Sequence, residues 1–95
     1  MVHVLARITA RADTVEQVRR VLVELVEQSR HEAGCGAYAL FQRSDDSVLF
    51  QTVEQWRDGA AVDAHMASRH VGEAIAQVGA LLAAPPEILR FDKLS

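Results

Sequence analysis

Alternation of apolar and polar side chains constrains this chain more than any other feature of its sequence. The first such stretch runs from Val2 to Thr9, and the residues of one side are all apolar: Val2, Val4, Ala6 and Ile8. A period of two places successive side chains on opposite faces of a β-strand. Since Leu5 lies on the other side, we predict a strand with apolar residues on both faces.

A helical pattern follows this strand. Asp13 and Glu16 have the spacing of an N-cap residue and its capping-box partner. Apolar residues then recur every three or four positions as far as Val26, which is typical of an amphipathic helix. Gly34, or Gly36 after it, is expected to end this helix, because glycine commonly terminates helices.

The middle of the chain predicts a β-hairpin. Two segments rich in aromatic and aliphatic residues, Ala37–Gln42 and Val48–Trp56, have strand composition. Between them, residues 44–47 read Ser-Asp-Asp-Ser, and such residues favour turns because their side chains bond to nearby backbone. The two strands are therefore predicted to pair with each other.

A broken helical region and a final strand complete the pattern. Asp58 is predicted to cap a short helix through Met66, and Ser68 to cap a second helix beyond a break near residue 67. This second helix has one apolar stripe, formed by Val71, Ile75, Val78 and Leu82. The Pro85–Pro86 pair should end it, and Ile88–Leu94 alternates again as a strand.

The element order βαββαβ predicts a ferredoxin-like α+β fold, in which two helices cover one face of a four-stranded antiparallel sheet. Several strand residues suggest that the other face is apolar too: Leu5, Leu40, Leu49, Val53, Leu89 and Phe91. An apolar face of this size is larger than a monomer usually leaves in water. We therefore expect a homodimer in which two sheets pack together.

Charge and composition exclude several classes of partner and location. The formal net charge of -3 argues against nucleic-acid binding. No apolar run approaches the roughly 18 residues of a membrane span, and the amino terminus lacks the pattern of an export signal, so neither membrane insertion nor export is expected. The single cysteine fits a reducing compartment, which predicts a cytoplasmic protein.

Recognised cofactor and metal motifs are absent from the sequence. Neither a zinc motif nor a glycine-rich phosphate loop occurs, so we predict no metal, flavin or nicotinamide cofactor. His65 and His70 would lie about 140° apart on a continuous helix and would not form a helical metal pair. Cys35 could act as a nucleophile beside a histidine, although a lone cysteine between glycines is more often a small packing residue.

An aromatic and imidazole group is the remaining candidate site. Its members are Tyr38, Phe50, Trp56, His65, Met66 and His70. Such a group can form a mostly apolar pocket with few polar anchors. The structural alternative is that Trp56 is an ordinary core aromatic and that the two histidines bond locally near the helix break.

Three short motifs resemble the antibiotic biosynthesis monooxygenase (ABM) domain family. They are Glu32-Ala33-Gly34-Cys35 before Tyr38, Glu54-x-Trp56, and His65-x-x-Ser68-x-His70. The likeness spans one domain, residues 2–91. It implies the ferredoxin-like fold, a dimeric α/β-barrel formed by two sheets, and a cavity between each sheet and its helices.

The resemblance also implies a function. Similarity to small quinol monooxygenases implies the oxidation of a quinol or a polycyclic aromatic dihydroxy compound by molecular oxygen, without metal or flavin. On this reading His65 is the candidate base and Trp56 orients the substrate ring, while Tyr38, Phe50, Met66 and His70 contact the substrate. Two alternatives remain open, namely an isomerase or degradative enzyme for a small signalling or catabolic metabolite, and a non-catalytic dimeric binding domain.

Overall fold

The computed structural model describes all residues, 1–95. Its four strands are β1 (Val2–Thr9), β2 (Cys35–Gln42), β3 (Leu49–Trp56) and β4 (Glu87–Phe91). Its three helices are α1 (Val15–Arg30), α2 (Gly59–Met66) and α3 (Arg69–Val78), and a 3₁₀ turn follows at Gly79–Leu81. The predicted ferredoxin-like α+β order is confirmed, as is the break in the second helical region. None of the helices is long and apolar enough to cross a membrane.

The sheet is antiparallel throughout, with the strand order β2-β3-β1-β4. Val4, Ala6 and Ile8 of β1 are buried toward the helices, which confirms the predicted alternation of that strand. Two clusters fill the space between sheet and helices; one comprises Val4, Val26, Tyr38, Trp56, Ala61 and Val62, and the other Ala6, Ile8, Ala10, Val18, Leu22 and Phe50. Burial of these side chains is the main force that holds the helices on the sheet.

The uncovered face of the sheet carries an apolar row that crosses all four strands. Consecutive cross-strand partners in this row are Ala39, Val53, Leu5 and Leu89. Leu40 was expected on this face, and that expectation is wrong. It pairs with Thr52 and packs against both core clusters, because side chains alternate along β2 and place it on the same side as Tyr38.

The ends of α1 differ from the predicted ones. Thr14, not Asp13, is the N-cap residue, and its hydroxyl donates to the Leu81 carbonyl at 2.7 Å while Asp13 is exposed. The helix ends at Arg30, before either glycine that was expected to stop it. Gly34 serves another purpose, since a Cβ on it would overlap the side chain of Ala61 in α2.

The carboxyl-terminal third also departs from the predicted boundaries. α3 ends at Val78, not at the prolines, so Leu82 lies outside the helix. Ile75 belongs to the apolar stripe that should face the core, yet it is exposed while Val78 is buried, and its side chain lines a cavity. The last strand ends at Phe91.

The different surroundings of Gly34 and Gly72 predict opposite effects on stability when each is changed to alanine. Gly34→Ala should lower the free energy of unfolding by about 1–3 kcal/mol, because the new methyl group has no space beside Ala61. Gly72→Ala in α3 should raise the free energy of unfolding by about 0.5–1 kcal/mol, because alanine favours a helix. No atom from another part of the fold lies within 4 Å of the Cβ that this change adds. Urea unfolding at equal protein concentration measures both, and a Gly34→Ala protein as stable as the parent would contradict the packing argument.

Candidate active site

A cavity of about 70 Å³ lies between the covered face of the sheet and the helices α1, α2 and α3. Seventeen residues line it, and 13 of them are hydrophobic. Its mouth is marked by three lining residues that remain partly exposed, Met66, Ile75 and Ile88. An apolar enclosure with few polar groups is the usual form of a small-molecule site.

The polar groups of the cavity wall come mainly from β3. Alternation along this strand places Thr52, Glu54 and Trp56 on its covered face, and all three are buried. The Thr52 hydroxyl donates to Glu54 Oε2 at 2.6 Å, and the Trp56 indole N–H donates to Glu54 Oε1 at 2.9 Å. The Ala6 amide of β1 donates in turn to Thr52 Oγ1 at 3.1 Å. These bonds satisfy a carboxyl group that would otherwise be costly to bury.

The break between α2 and α3 brings His65 and His70 onto one carboxylate. His65 Nδ1 lies 2.6 Å from Glu32 Oε2, and His70 Nε2 lies 2.8 Å from the same oxygen. The expectation that the two histidines point apart assumed a continuous helix, and it is wrong because the chain turns at residues 67–68. One ligand atom from each of the three side chains lies within 4.8 Å of the others, so they could hold a metal ion.

His65 lies between two carboxylates. An ionised carboxylate can only accept a hydrogen bond, so the neutral ring opposite Glu32 carries its proton on Nδ1 and presents Nε2 as an acceptor. Nε2 lies 4.0 Å from Glu54 Oε1. The Trp56 ring packs on the imidazole with a centroid distance of 4.5 Å, which fixes the plane of the ring. The arrangement is that of a base oriented by a carboxylate.

Tyr38 and Cys35 stay protonated beside these carboxylates. Burial raises the pKa of the Tyr38 phenol far above its usual value, and the negative charge of Glu54 raises it further. Burial, and then the charges of Glu32 and Glu54, raise the pKa of the Cys35 thiol. A raised thiol pKa is the opposite of what activates a nucleophile, and it favours the packing role for Cys35.

The structure places three of the six predicted site residues at the cavity wall: Tyr38, His65 and Met66. Trp56 packs on His65 but does not line the cavity, and His70 contacts Glu32 while its ring centroid lies 6.1 Å from that of His65. Phe50 belongs to the second core cluster, because it lies six residues, about 20 Å, along β3 from Trp56.

Sequence reasoning missed the roles of Glu32 and Glu54. Both stand in the motifs that carry the family resemblance, and Glu54 also stands at an inward strand position where a charge is unexpected. That second signal was visible in the alternation of β3. The motif that contains Glu32 did not indicate its contact with the two histidines, because that contact depends on the tertiary fold.

The fold is thus a small ferredoxin-like α+β domain with an apolar cavity and a carboxylate–histidine group at its wall. The family model described as antibiotic biosynthesis monooxygenase matches residues 1–77, and the chain belongs to this family. The predicted resemblance is thereby confirmed.

Individual relatives agree with this membership over nearly the whole chain. "Putative monooxygenase Rv0793" of Mycobacterium tuberculosis is 37% identical over 86 residues, which cover 88% of this chain and 82% of the relative. "Putative monooxygenase YcnE" of Bacillus subtilis is 30% identical over 92 residues, 97% of either chain. The crystal structure of PA3566 from Pseudomonas aeruginosa superimposes with a TM-score of 0.92 at 38% identity, covering 99% of this chain and 94% of the other.

The environment of Tyr38 predicts an alkaline limit to stability. Because the folded protein keeps the phenol proton while the unfolded chain loses it above pH about 10, the free energy of unfolding should fall as pH rises past that value. Tyr38 is the sole tyrosine, so phenolate absorbance in the ultraviolet reports on it alone. The phenolate absorbance should appear only together with unfolding, whereas phenolate in a fully folded protein near pH 10 would contradict the raised pKa of Tyr38. The Tyr38→Phe protein gives the background absorbance without a phenol.

Proposed function

We propose that this protein is a cofactor-independent monooxygenase that oxidises a quinol or a polycyclic aromatic dihydroxy compound with molecular oxygen. The observation that carries the proposal is a histidine held between two carboxylates at the wall of an apolar cavity. Family membership and the names of two relatives support the oxygenase class. The aromatic substrate is what the family resemblance implies, and the apolar lining of the cavity suits it.

His65 is the proposed general base. A substrate hydroxyl at the polar wall of the cavity would donate to Nε2, the nitrogen that Glu32 leaves free. The imidazolium formed by this transfer would lie between the charges of Glu32 and Glu54, and Coulomb attraction in a buried site would stabilise it. Trp56 packs on His65 and is therefore proposed as a positioning residue.

Oxidation follows from the deprotonated substrate. The electron-rich anion passes an electron to oxygen, and the two radicals combine into a peroxide anion, which takes back the proton held by the His65 imidazolium to give a hydroperoxide. The O–O bond of the hydroperoxide and the C–H bond on the same carbon then break, so that water leaves and one oxygen atom stays in the product as a carbonyl. The substrate supplies every electron that oxygen accepts, so the step requires no further reductant. An apolar cavity suits both oxygen and the ring, and it excludes the water that would quench the anion.

Two other groups are proposed to contact the substrate. The neutral Tyr38 phenol, whose ring centroid lies 5.8 Å from that of His65, can donate a hydrogen bond to a substrate oxygen as negative charge develops. Met66 lies at the mouth, where its flexible thioether can adapt to ligands of different shape.

The base assignment predicts a selective loss of activity. His65→Ala should lower kcat for reduced naphthoquinones by about 10²–10⁴-fold, since this is the usual contribution of a general base. His31→Ala is the matched control, because this histidine is exposed, and it should leave kcat unchanged. Substrate oxidation and oxygen uptake are measured together with an oxygen electrode.

The same assay separates the competing functions. Equal turnover without oxygen would contradict the monooxygenase and favour an isomerase that uses His65 for proton transfer alone. Absence of both turnover and ligand binding across a broad quinol panel would favour a non-catalytic dimeric domain whose pocket is vestigial.

We also propose that the protein functions as a homodimer formed through the uncovered face of the sheet. The apolar row across all four strands supports this, because stable association needs a continuous apolar surface. Phe41 and Phe91 extend the apolar area on the outer strands of the same face. Two sheets packed in this way give the barrel expected for the family.

The dimer predicts that a charge in the apolar row separates the chains. Val53→Arg should shift the mass measured by light scattering from two chains to one, because the arginine would be buried against the partner sheet. Val23→Arg is the control, since Val23 has a similar exposed fraction, 49% against 37%, but lies on α1. An unmodified protein that is monomeric at micromolar concentration would rule out this dimer.

A further inference from the structure

Glu32, His65 and His70 supply two imidazole nitrogens and a carboxylate oxygen to one point in the structure. We propose that these three side chains bind a divalent ion of the zinc class, and that the bound ion inactivates His65 as a base. Two histidines and a glutamate form an established ligand set for zinc, which takes a water molecule as its fourth ligand. The ion would be an inhibitory ligand and not a cofactor of the reaction.

The distances allow the site to form with small movements. The two nitrogens lie 2.6 and 2.8 Å from Glu32 Oε2, as expected for hydrogen bonds. Tetrahedral ligands about 2.05 Å from zinc stand about 3.3 Å apart, so each nitrogen–oxygen pair must open by about 0.5–0.7 Å. The two nitrogens lie within 4.8 Å of each other and must reach the same separation. Glu32 lies in the short loop between α1 and β2, and rotation of its side chain can supply this movement.

A second carboxylate supports this ligand set. A histidine that binds a metal through one nitrogen usually donates its other N–H to a carboxylate, a carbonyl or water. If Nδ1 of His65 binds the ion, the ring proton moves to Nε2, which lies 4.0 Å from Glu54 Oε1. Glu54 is buried and held in place by Thr52 and Trp56, so its carboxylate is the acceptor that we expect for the Nε2–H of His65.

The site is open to ions from solution. The side chains of Glu32 and His70 are 17% and 21% exposed, whereas that of His65 is 5% exposed. An ion can therefore enter from the side of His70 and keep a water ligand there. This entry does not pass through the cavity, whose wall includes His65 but neither Glu32 nor His70.

The consequence for activity follows from the tautomer, and it rests on the proposed function. In the metal-free protein Nδ1 of His65 carries the proton and Nε2 can accept one. An ion on Nδ1 obliges the neutral ring to carry its proton on Nε2, so the base is lost without any change in the net protonation of the ring. Zinc should therefore inhibit while leaving the substrate cavity intact.

Calorimetric titration of the untagged full chain with zinc chloride tests the site. We expect one ion per chain with a micromolar dissociation constant. His70→Ala and Glu32→Gln should each weaken binding at least roughly tenfold. His31→Ala, which removes the neighbouring histidine outside the cluster, should bind as the parent does. Absence of binding at millimolar zinc, or equal affinity in His70→Ala and His31→Ala, would overturn the site.

Two readouts then separate the site from the proposed function. Nitrogen-15 NMR of the His65 ring should show the proton on Nδ1 without zinc and on Nε2 with it, whether or not a substrate is known. Zinc should also abolish quinol turnover, and a chelator should restore it. Binding without the tautomer change would overturn the inhibitory mechanism. A correct tautomer change in a protein that never oxidises quinols would contradict the proposed function and leave the metal site intact.

Discussion

The buried carboxyl group of Glu54 is the constraint on which the arrangement of the site depends. A carboxyl group inside a mostly apolar layer is costly unless its oxygens are hydrogen-bonded, and the neighbouring inward residues of the same strand supply both donors. The period of a strand makes this possible, since Thr52 and Trp56 each lie two residues from Glu54. Trp56, held by Glu54, then packs on His65, so one strand positions both a carboxylate and an aromatic ring beside this histidine.

A second constraint acts on the opposite side of His65. The short helices α2 and α3 are separated by a break, and each begins at a side-chain cap, provided by Asp58 and Ser68. The break turns the chain so that His65 and His70 meet at Glu32. A single long helix with the same residues would keep the two rings on different faces. The caps that define the break therefore also determine that both histidines contact Glu32.

Local patterns predicted most of the fold and about half of the candidate site. Strand alternation and the caps at Asp58 and Ser68 are local properties, and they gave the element order and the helix break correctly. The Asp13–Glu16 spacing placed the cap one residue too early; Thr14 takes the N-cap position, and its hydroxyl donates to the Leu81 carbonyl 67 residues away, a contact that no local pattern encodes. The meeting of Glu32 with the two histidines depends in the same way on how helices pack, and no local pattern encodes that.

The cavity and the uncovered face of the sheet are linked through stability. Small side chains at Ala6 and Ala74 leave space between β1 and α3, and unfilled space and buried polar groups each reduce the stability of a domain. A chain of 95 residues has little surplus stability with which to offset these losses. Burial of the apolar row by a second copy would contribute about 25 cal/mol for each Å² removed from water. In the proposed dimer, burial of the uncovered face of the sheet would thus stabilise the domain that contains the cavity on the covered face.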